Sequence, residues 1–216
     1  MDITQIKPFV VEDFLTADEY ASIYKTINDA IEENVAAGND PYDEPFKKLV
    51  TNGFIVYFEN FEQKVLDKFK SGLEAAIGHP IKKPGVLFCR YSKKSGDFPR
   101  LLPHSDRIMK NPSVTTTLEL DTTIDWDIYV EDKQFNLNKN EMLVFSGSHN
   151  THWRPFIEFG DDDYFDIIIL QSSLEKEDDI HLDDEFFDMR DRKSGEFIQR
   201  YMPLLEKALG DRRGRE

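Results

Sequence analysis

Hydrophobic positions fall into three regimes along the chain. In the first, Tyr20, Ile23, Tyr24, Ile27 and Ile31 recur at the spacing that puts residues on one helix face. Thr16-Ala17-Asp18-Glu19 stands just before them and reads as a capping box, in which a hydroxyl and a carboxylate each satisfy a free backbone N–H. The helix is predicted to fade near Ala36-Ala37-Gly38-Asn39. Residues 38–48, with Pro41 and Pro45 as breakers, predict a loop. Phe54-Ile55-Val56-Tyr57-Phe58 predicts a strand. A second helix is expected to be capped by Asn60, with Gln63 at the box position and Val65, Leu66, Phe69 and Leu73 on one face, and to end at Gly78 and Pro80.

From Val86 the period shortens. Val86–Ser92, Val114–Leu120, Trp126–Glu131, Gln134–Leu137, Glu141–Ser146, Thr151–Phe156 and Tyr164–Ser173 are short runs rich in β-branched and aromatic residues, separated by polar turns. Many short strands without intervening helices predict a mainly β core of sandwich or jelly-roll type. No glycine-rich phosphate loop accompanies them, which argues against a nucleotide-binding α/β sheet. After Ser173 comes an acidic stretch, 175–184. A last helix is expected near Glu196–Leu209, kinked or broken at Pro203. The expected organisation is one domain: a helical or mixed support over 1–84, the β core over 85–173, and the acidic stretch with its helix over 174–216.

Charge narrows the partners. The 216 residues carry 42 acidic against 27 basic side chains, a net charge of -15. Such a surface repels phosphate, so general nucleic-acid or anionic-membrane binding is not expected. The basic tail Asp211-Arg212-Arg213-Gly214-Arg215 is the exception and reads as a solvated end. One cysteine, Cys89, cannot form a disulfide within the chain and suits a buried position in a reducing compartment. No apolar run reaches membrane-spanning length, and Met1-Asp2-Ile3-Thr4-Gln5 lacks the pattern of a secretion signal. A cytoplasmic protein, of a cell or of an agent replicating within one, is the expectation.

Of the five histidines, His104 and His181 open an H-x-D spelling, in His104-Ser105-Asp106 and His181-Leu182-Asp183. An acidic chain produces that spelling by chance, so position decides. His181 follows the last strand in an acidic run and is expected to be solvated. His104 precedes several strands, any of which can return with a third ligand. An open ferrous site needs two imidazoles and one carboxylate on one face. Residues i and i+2 of an extended segment point the same way, so His104 and Asp106 can share a metal. Thr151-His152-Trp153-Arg154, about 46 residues beyond Asp106, offers the distal imidazole. Arg154 then shares the face of His152, where a guanidinium can grip an anion. His149 is the rival distal ligand, but it is three positions from His152 and in the turn at Gly147-Ser148.

Leu87-Phe88-Cys89-Arg90-Tyr91-Ser92, His104-Ser105-Asp106 and His152-Trp153-Arg154, in this order and spacing, resemble the Fe(II)- and 2-oxoglutarate-dependent dioxygenase superfamily, in its prolyl-hydroxylase-like branch. Pro8-Phe9-Val10-Val11-Glu12-Asp13-Phe14-Leu15 resembles the opening of that branch, a strand ending in D-F-L before the first helix. The resemblance implies a double-stranded β-helix core. It implies Fe(II), 2-oxoglutarate as co-substrate, O2 as oxidant, ascorbate for reactivation, and hydroxylation of an unactivated C–H bond with release of succinate and CO2. His104, Asp106 and His152 match the iron ligands, and Tyr91 matches a tyrosine that touches 2-oxoglutarate. The basic residue that many members carry about ten positions after the distal histidine is missing. Gly160-Asp161-Asp162-Asp163 stands there, and Tyr164–Ser173 has no basic residue. Arg154 is the expected replacement, ahead of Arg90, Arg100 and Arg107.

Asp106 fills the position a halide would need, so hydroxylation is favoured over halogenation. A prolyl, other amino-acid or peptide substrate follows from the branch alone. Two other classes stay open on sequence: a cupin-like metal- or ligand-binding protein without oxygenase activity, and a zinc hydrolase on the same ligands, with Glu158 as its base.

Overall fold

The computed structural model describes residues 6–36, 50–51, 53–57, 63–93, 100–106, 113–175 and 182–213. Eleven strands and three helices follow one another as β1 (Phe9–Val11), α1 (Ala17–Ala36), β2 (Val50–Thr51), β3 (Gly53–Tyr57), α2 (Gln63–Ile77), β4 (Gly85–Ser92), β5 (Arg100–His104), β6 (Ser113–Thr122), β7 (Ile128–Val130), β8 (Lys133–Phe135), β9 (Met142–Ser146), β10 (His152–Arg154), β11 (Tyr164–Ser173) and α3 (Asp184–Arg213). The strands form two antiparallel sheets, in the orders β1-β9-β6-β11-β4-β3 and β2-β5-β10-β7-β8. This is the mainly β architecture expected from the short alternating runs.

The larger sheet has two differently used faces, because successive strand residues point to opposite sides. Val114, Leu118, Leu120, Phe88, Val144, Ile168 and Leu170 face α1 and α2 and pack with Ile23, Ile27, Phe69 and Leu73. The other face turns toward the smaller sheet, presenting Cys89, Tyr91, Phe165 and Ile167 with Leu143 and Phe145. The two helices are built as the sequence implies. Thr16 N–H donates to Glu19 Oε2 at 2.9 Å and Glu19 N–H to Thr16 Oγ1 at 3.3 Å, closing the capping box. Gly78 ends α2 with φ 70°, a conformation glycine adopts without a Cβ penalty.

The last helix corrects the sequence reading. It begins at Asp184, well before Glu196, and runs through Pro203 to Arg213 as one helix of 30 residues. Asp183 caps it, accepting from Phe186 N–H at 2.8 Å. Proline costs the helix one backbone bond. Packing before it anchors the helix: Phe187, Arg190, Ser194, Phe197 and Tyr201 are all buried on one face. The acidic start of this segment is therefore helix N-terminus, where Asp184 and Glu185 complement the dipole. Two strands, β2 and β5, have no counterpart among the predicted runs. The 38–48 loop, Phe58, Asn60, Arg107, His181, Gly214 and Arg215 lie outside the described residues. Among the described residues no helix is long and apolar enough to cross a membrane.

Candidate metal centre

His104 ends β5 and His152 begins β10, and the antiparallel register sets them directly across from each other. Their rings lie 4.3 Å apart between centroids. Asp106, two residues past His104, brings Oδ1 to 3.7 Å from Nε2 of each histidine. One ligand atom from each of the three residues lies within 4.8 Å of the other two. Both imidazoles are held by backbone: His104 Nδ1 is 2.8 Å from Leu102 O, and His152 Nδ1 is 3.2 Å from Asn150 O. A carbonyl only accepts, so each Nδ1 carries the proton and each Nε2 offers its lone pair to the shared point. Burial, and next the His104 imidazole, push the His152 pKa down to about 4, which keeps the ring neutral and able to ligate.

The carboxylate is fixed as firmly. Asp106 Oδ2 accepts from Thr115 Oγ1 at 2.5 Å, which leaves Oδ1 turned to the histidines. Asp106 N–H donates to Gly147 O at 2.9 Å. A Cβ built on Gly147 would stand 2.0 Å from Thr115 Oγ1 and 2.2 Å from Asp106 Oδ2, so only glycine lets this strand end approach. The donor set, two oriented imidazoles and one anchored carboxylate on one face, fits a divalent ion with open positions, and iron(II) in particular.

Arg154 shares the inward face with His152, as the alternation requires: His152 and Arg154 are buried while Trp153 between them is half-buried. The guanidinium lies over the Phe165 ring at 4.6 Å and beside the Trp126 ring at 5.3 Å. Nη1 donates to Trp126 O, whereas Nη2 is buried without a hydrogen-bond partner. Tyr91, 1% exposed, stands across the same interior and meets Trp126 edge-on at 4.8 Å. Burial lifts its phenol well above the usual range, so it stays a hydroxyl.

Other residues weighed from sequence fall elsewhere. His149 turns to the hydroxyls of Ser146 and Ser148, at 3.2 and 3.0 Å from Nδ1, and packs on Phe186. Arg90 points to the far side of the sheet, where it grips the buried Asp166 with two hydrogen bonds of 2.8 and 2.7 Å. Glu158 is exposed. Thr115, Gly147 and Arg190 escaped the sequence reading. Arg190 on α3 donates to Ser105 Oγ at 3.4 Å, Glu131 Oε1 at 3.0 Å and Thr151 Oγ1 at 3.2 Å, and so ties the helix to the residues beside His104, Asp106 and His152.

No protein-family model matches the chain, and no curated protein matches it in sequence. Solved structures do match in fold. A prolyl hydroxylase from Trichoplax adhaerens, in complex with a hypoxia inducible factor oxygen degradation domain peptide fragment, superposes with a TM-score of 0.54 at 13% identity, over 81% of this chain and 87% of that one. The viral collagen prolyl hydroxylase vCPH from Paramecium Bursaria Chlorella virus-1, in its 2OG complex, gives 0.55 at 14% identity over 80% and 99%. The non-heme alpha ketoglutarate dependent epimerase SnoN from nogalamycin biosynthesis gives 0.53 at 11% identity over 77% and 76%. In fold, therefore, the chain is similar to the prolyl hydroxylases and related 2-oxoglutarate-dependent oxygenases.

Proposed function

We propose that the chain is an Fe(II)- and 2-oxoglutarate-dependent oxygenase that hydroxylates an unactivated C–H bond, with a prolyl or other amino-acid or peptide group as substrate. The observation that carries this reading is the pairing of the His104-Asp106-His152 face, half-buried at His104 and buried at the other two, with an unmet guanidinium donor two residues along the same strand as His152. His104, Asp106 and His152 hold the iron. Arg154, with Tyr91, holds the outer carboxylate of the co-substrate, which needs a cation in a dry interior. When bound, iron and 2-oxoglutarate together activate O2 for attack on the C–H bond. Thr115 keeps Asp106 from rotating. Trp126, Phe159, Phe165 and Ile167 keep bulk water from the reacting space. The peptide bound by the Trichoplax adhaerens prolyl hydroxylase supports the substrate class on a chain of the same fold.

A zinc hydrolase on the same ligands gains nothing from the geometry, since its expected base is exposed. The deciding test is anaerobic addition of Fe(II) and then 2-oxoglutarate. A weak metal-to-ligand charge-transfer band in the visible is expected, lost in His104→Ala and Asp106→Ala, which should still fold. No band in the parent protein, or unchanged iron stoichiometry in both variants, overturns the reading.

A further inference from the structure

The inner face of β6 carries a run of polar side chains where its neighbours are apolar. Thr115, Thr117 and Glu119 share that face. They pair across to Gln171, Ile169 and Ile167 of β11, and Thr115 and Thr117 also pair with Phe145 and Leu143 of β9. Thr115 is bound to Asp106. Thr117 Oγ1 is buried with no partner, as is Arg154 Nη2 on β10. Glu119 is 3% exposed, and among the described residues no hydrogen bond or ion pair reaches its carboxylate. A buried carboxylate near an anion-binding guanidinium would offset its charge and repel the anion it should help receive. The conflict disappears if the group is neutral and donates.

We propose that Glu119 is protonated when the co-substrate binds, and that its carboxyl O–H joins Arg154 in holding the outer carboxylate. This rests on the functional reading above. Binding then takes up a proton wherever the free carboxyl is ionised, approaching one per event at alkaline pH. The charges around Glu119 agree with it. Burial lifts the carboxyl to about 7 against Arg154 on β10, which favours the ionised form, and Glu141 before β9, Asp125 in the loop after β6 and Asp121 on β6 add to the rise. From β4, Tyr91, whose phenol burial keeps as a hydroxyl, and Cys89 face the same space. A short carboxyl–carboxylate hydrogen bond is of the charge-assisted, stronger kind.

The test is calorimetric titration of the Fe(II)-loaded protein with 2-oxoglutarate, without oxygen, in two buffers of different ionisation enthalpy. Between about pH 6 and about pH 8.5 the affinity should fall about thirty-fold, the loss in protonated fraction of one group titrating near 7. Heats in the two buffers should differ by about one proton per ligand at the alkaline end. Glu119→Gln, whose amide can donate in every protonation state, should bind with no proton uptake and no fall in affinity. pH-independent binding by the parent, or loss of binding at all pH in Glu119→Gln, overturns the inference and leaves the oxygenase reading standing. Absence of 2-oxoglutarate binding at every pH overturns that reading, and the inference with it.

Discussion

Two side-chain positions around Asp106 set the metal centre, and each leads to a distinct outcome. Gly147→Ala forces a methyl into the Thr115–Asp106 contact, where real Cβ atoms do not come closer than about 3 Å. The expected result is a folded protein with iron stoichiometry near zero, read by metal analysis beside far-ultraviolet dichroism. Thr115→Val keeps shape and removes only the hydrogen bond, so iron affinity should drop about 10- to 100-fold, the usual effect of losing a partner behind a ligand. Full iron loading of Gly147→Ala would show that Asp106 is not the ligand. Arg154 answers to a different measurement. Arg154→Lys keeps charge but loses the fork, and should weaken 2-oxoglutarate by about 1–3 kcal/mol. Arg154→Ala should weaken it more, both with iron affinity nearly unchanged. Unaltered 2-oxoglutarate affinity in both would move the clamp elsewhere.

Among the elements, α3 is the one whose effect reaches furthest. Arg190 bridges Ser105, between His104 and Asp106, and Thr151, beside His152. It also shares Glu131 with Lys193, whose Nζ lies 2.5 Å from Oε2. Arg190→Met should cost about 1–3 kcal/mol in thermal unfolding, the range for buried hydrogen bonds to charged groups. It should also loosen iron binding, whereas Arg200→Met on an exposed turn of the same helix should do neither. Equal effects of the two would reduce α3 to a cover. The legibility of the sequence follows the same division. Strands rich in β-branched and apolar residues between polar turns, such as β6, β9 and β11, could be read, and so could the shared face of His152 and Arg154, because both depend on local sequence alone. Strand β5 was hidden: Arg100-Leu101-Leu102-Pro103-His104 is short and contains a proline. Its assignment depends on pairing with β10 and β2. The early start of α3 was masked by acidic composition that reads as solvated loop. Arg190 and Thr115 act across 85 and 9 positions of chain respectively, and no local pattern announces such contacts. Glu119 did leave a signal, a charge between Leu118 and Leu120 in a strand otherwise of apolar and hydroxyl residues up to Leu120.

For the molecule as a whole, two buried groups pull stability in opposite directions with pH. His152 is depressed to about 4 from its ordinary 6.5, so the unfolded chain binds more protons between those values. Stability in the metal-free protein is therefore lost as pH falls through that window. Glu119 is raised from 4.5 to about 7, so the folded protein binds more protons there, and stability is lost as pH rises through it. The two slopes oppose each other over most of the range. Removing one exposes the other. Relative to the parent, metal-free Glu119→Gln should gain stability as pH rises, by up to about 3 kcal/mol near neutrality. Denaturation at about pH 4.5 and about pH 7 checks this, and a stability difference that stays constant across that range contradicts it.

The direct pairing of His104 with His152 also has a topological side. An ion shared by the two rings closes the intervening chain, β6 to β9 included, into a loop. In the unfolded chain such a clasp removes configurational freedom much as a disulfide does, about 4 kcal/mol for a loop of this length if the ligands stay bound. A metal that lets go on unfolding instead stabilises by mass action, in proportion to the logarithm of its free concentration. Chelation should lower the melting temperature in either case. Only the clasp predicts a melting temperature that stops responding to added Fe(II) once the site is full, with denatured protein that retains iron on gel filtration.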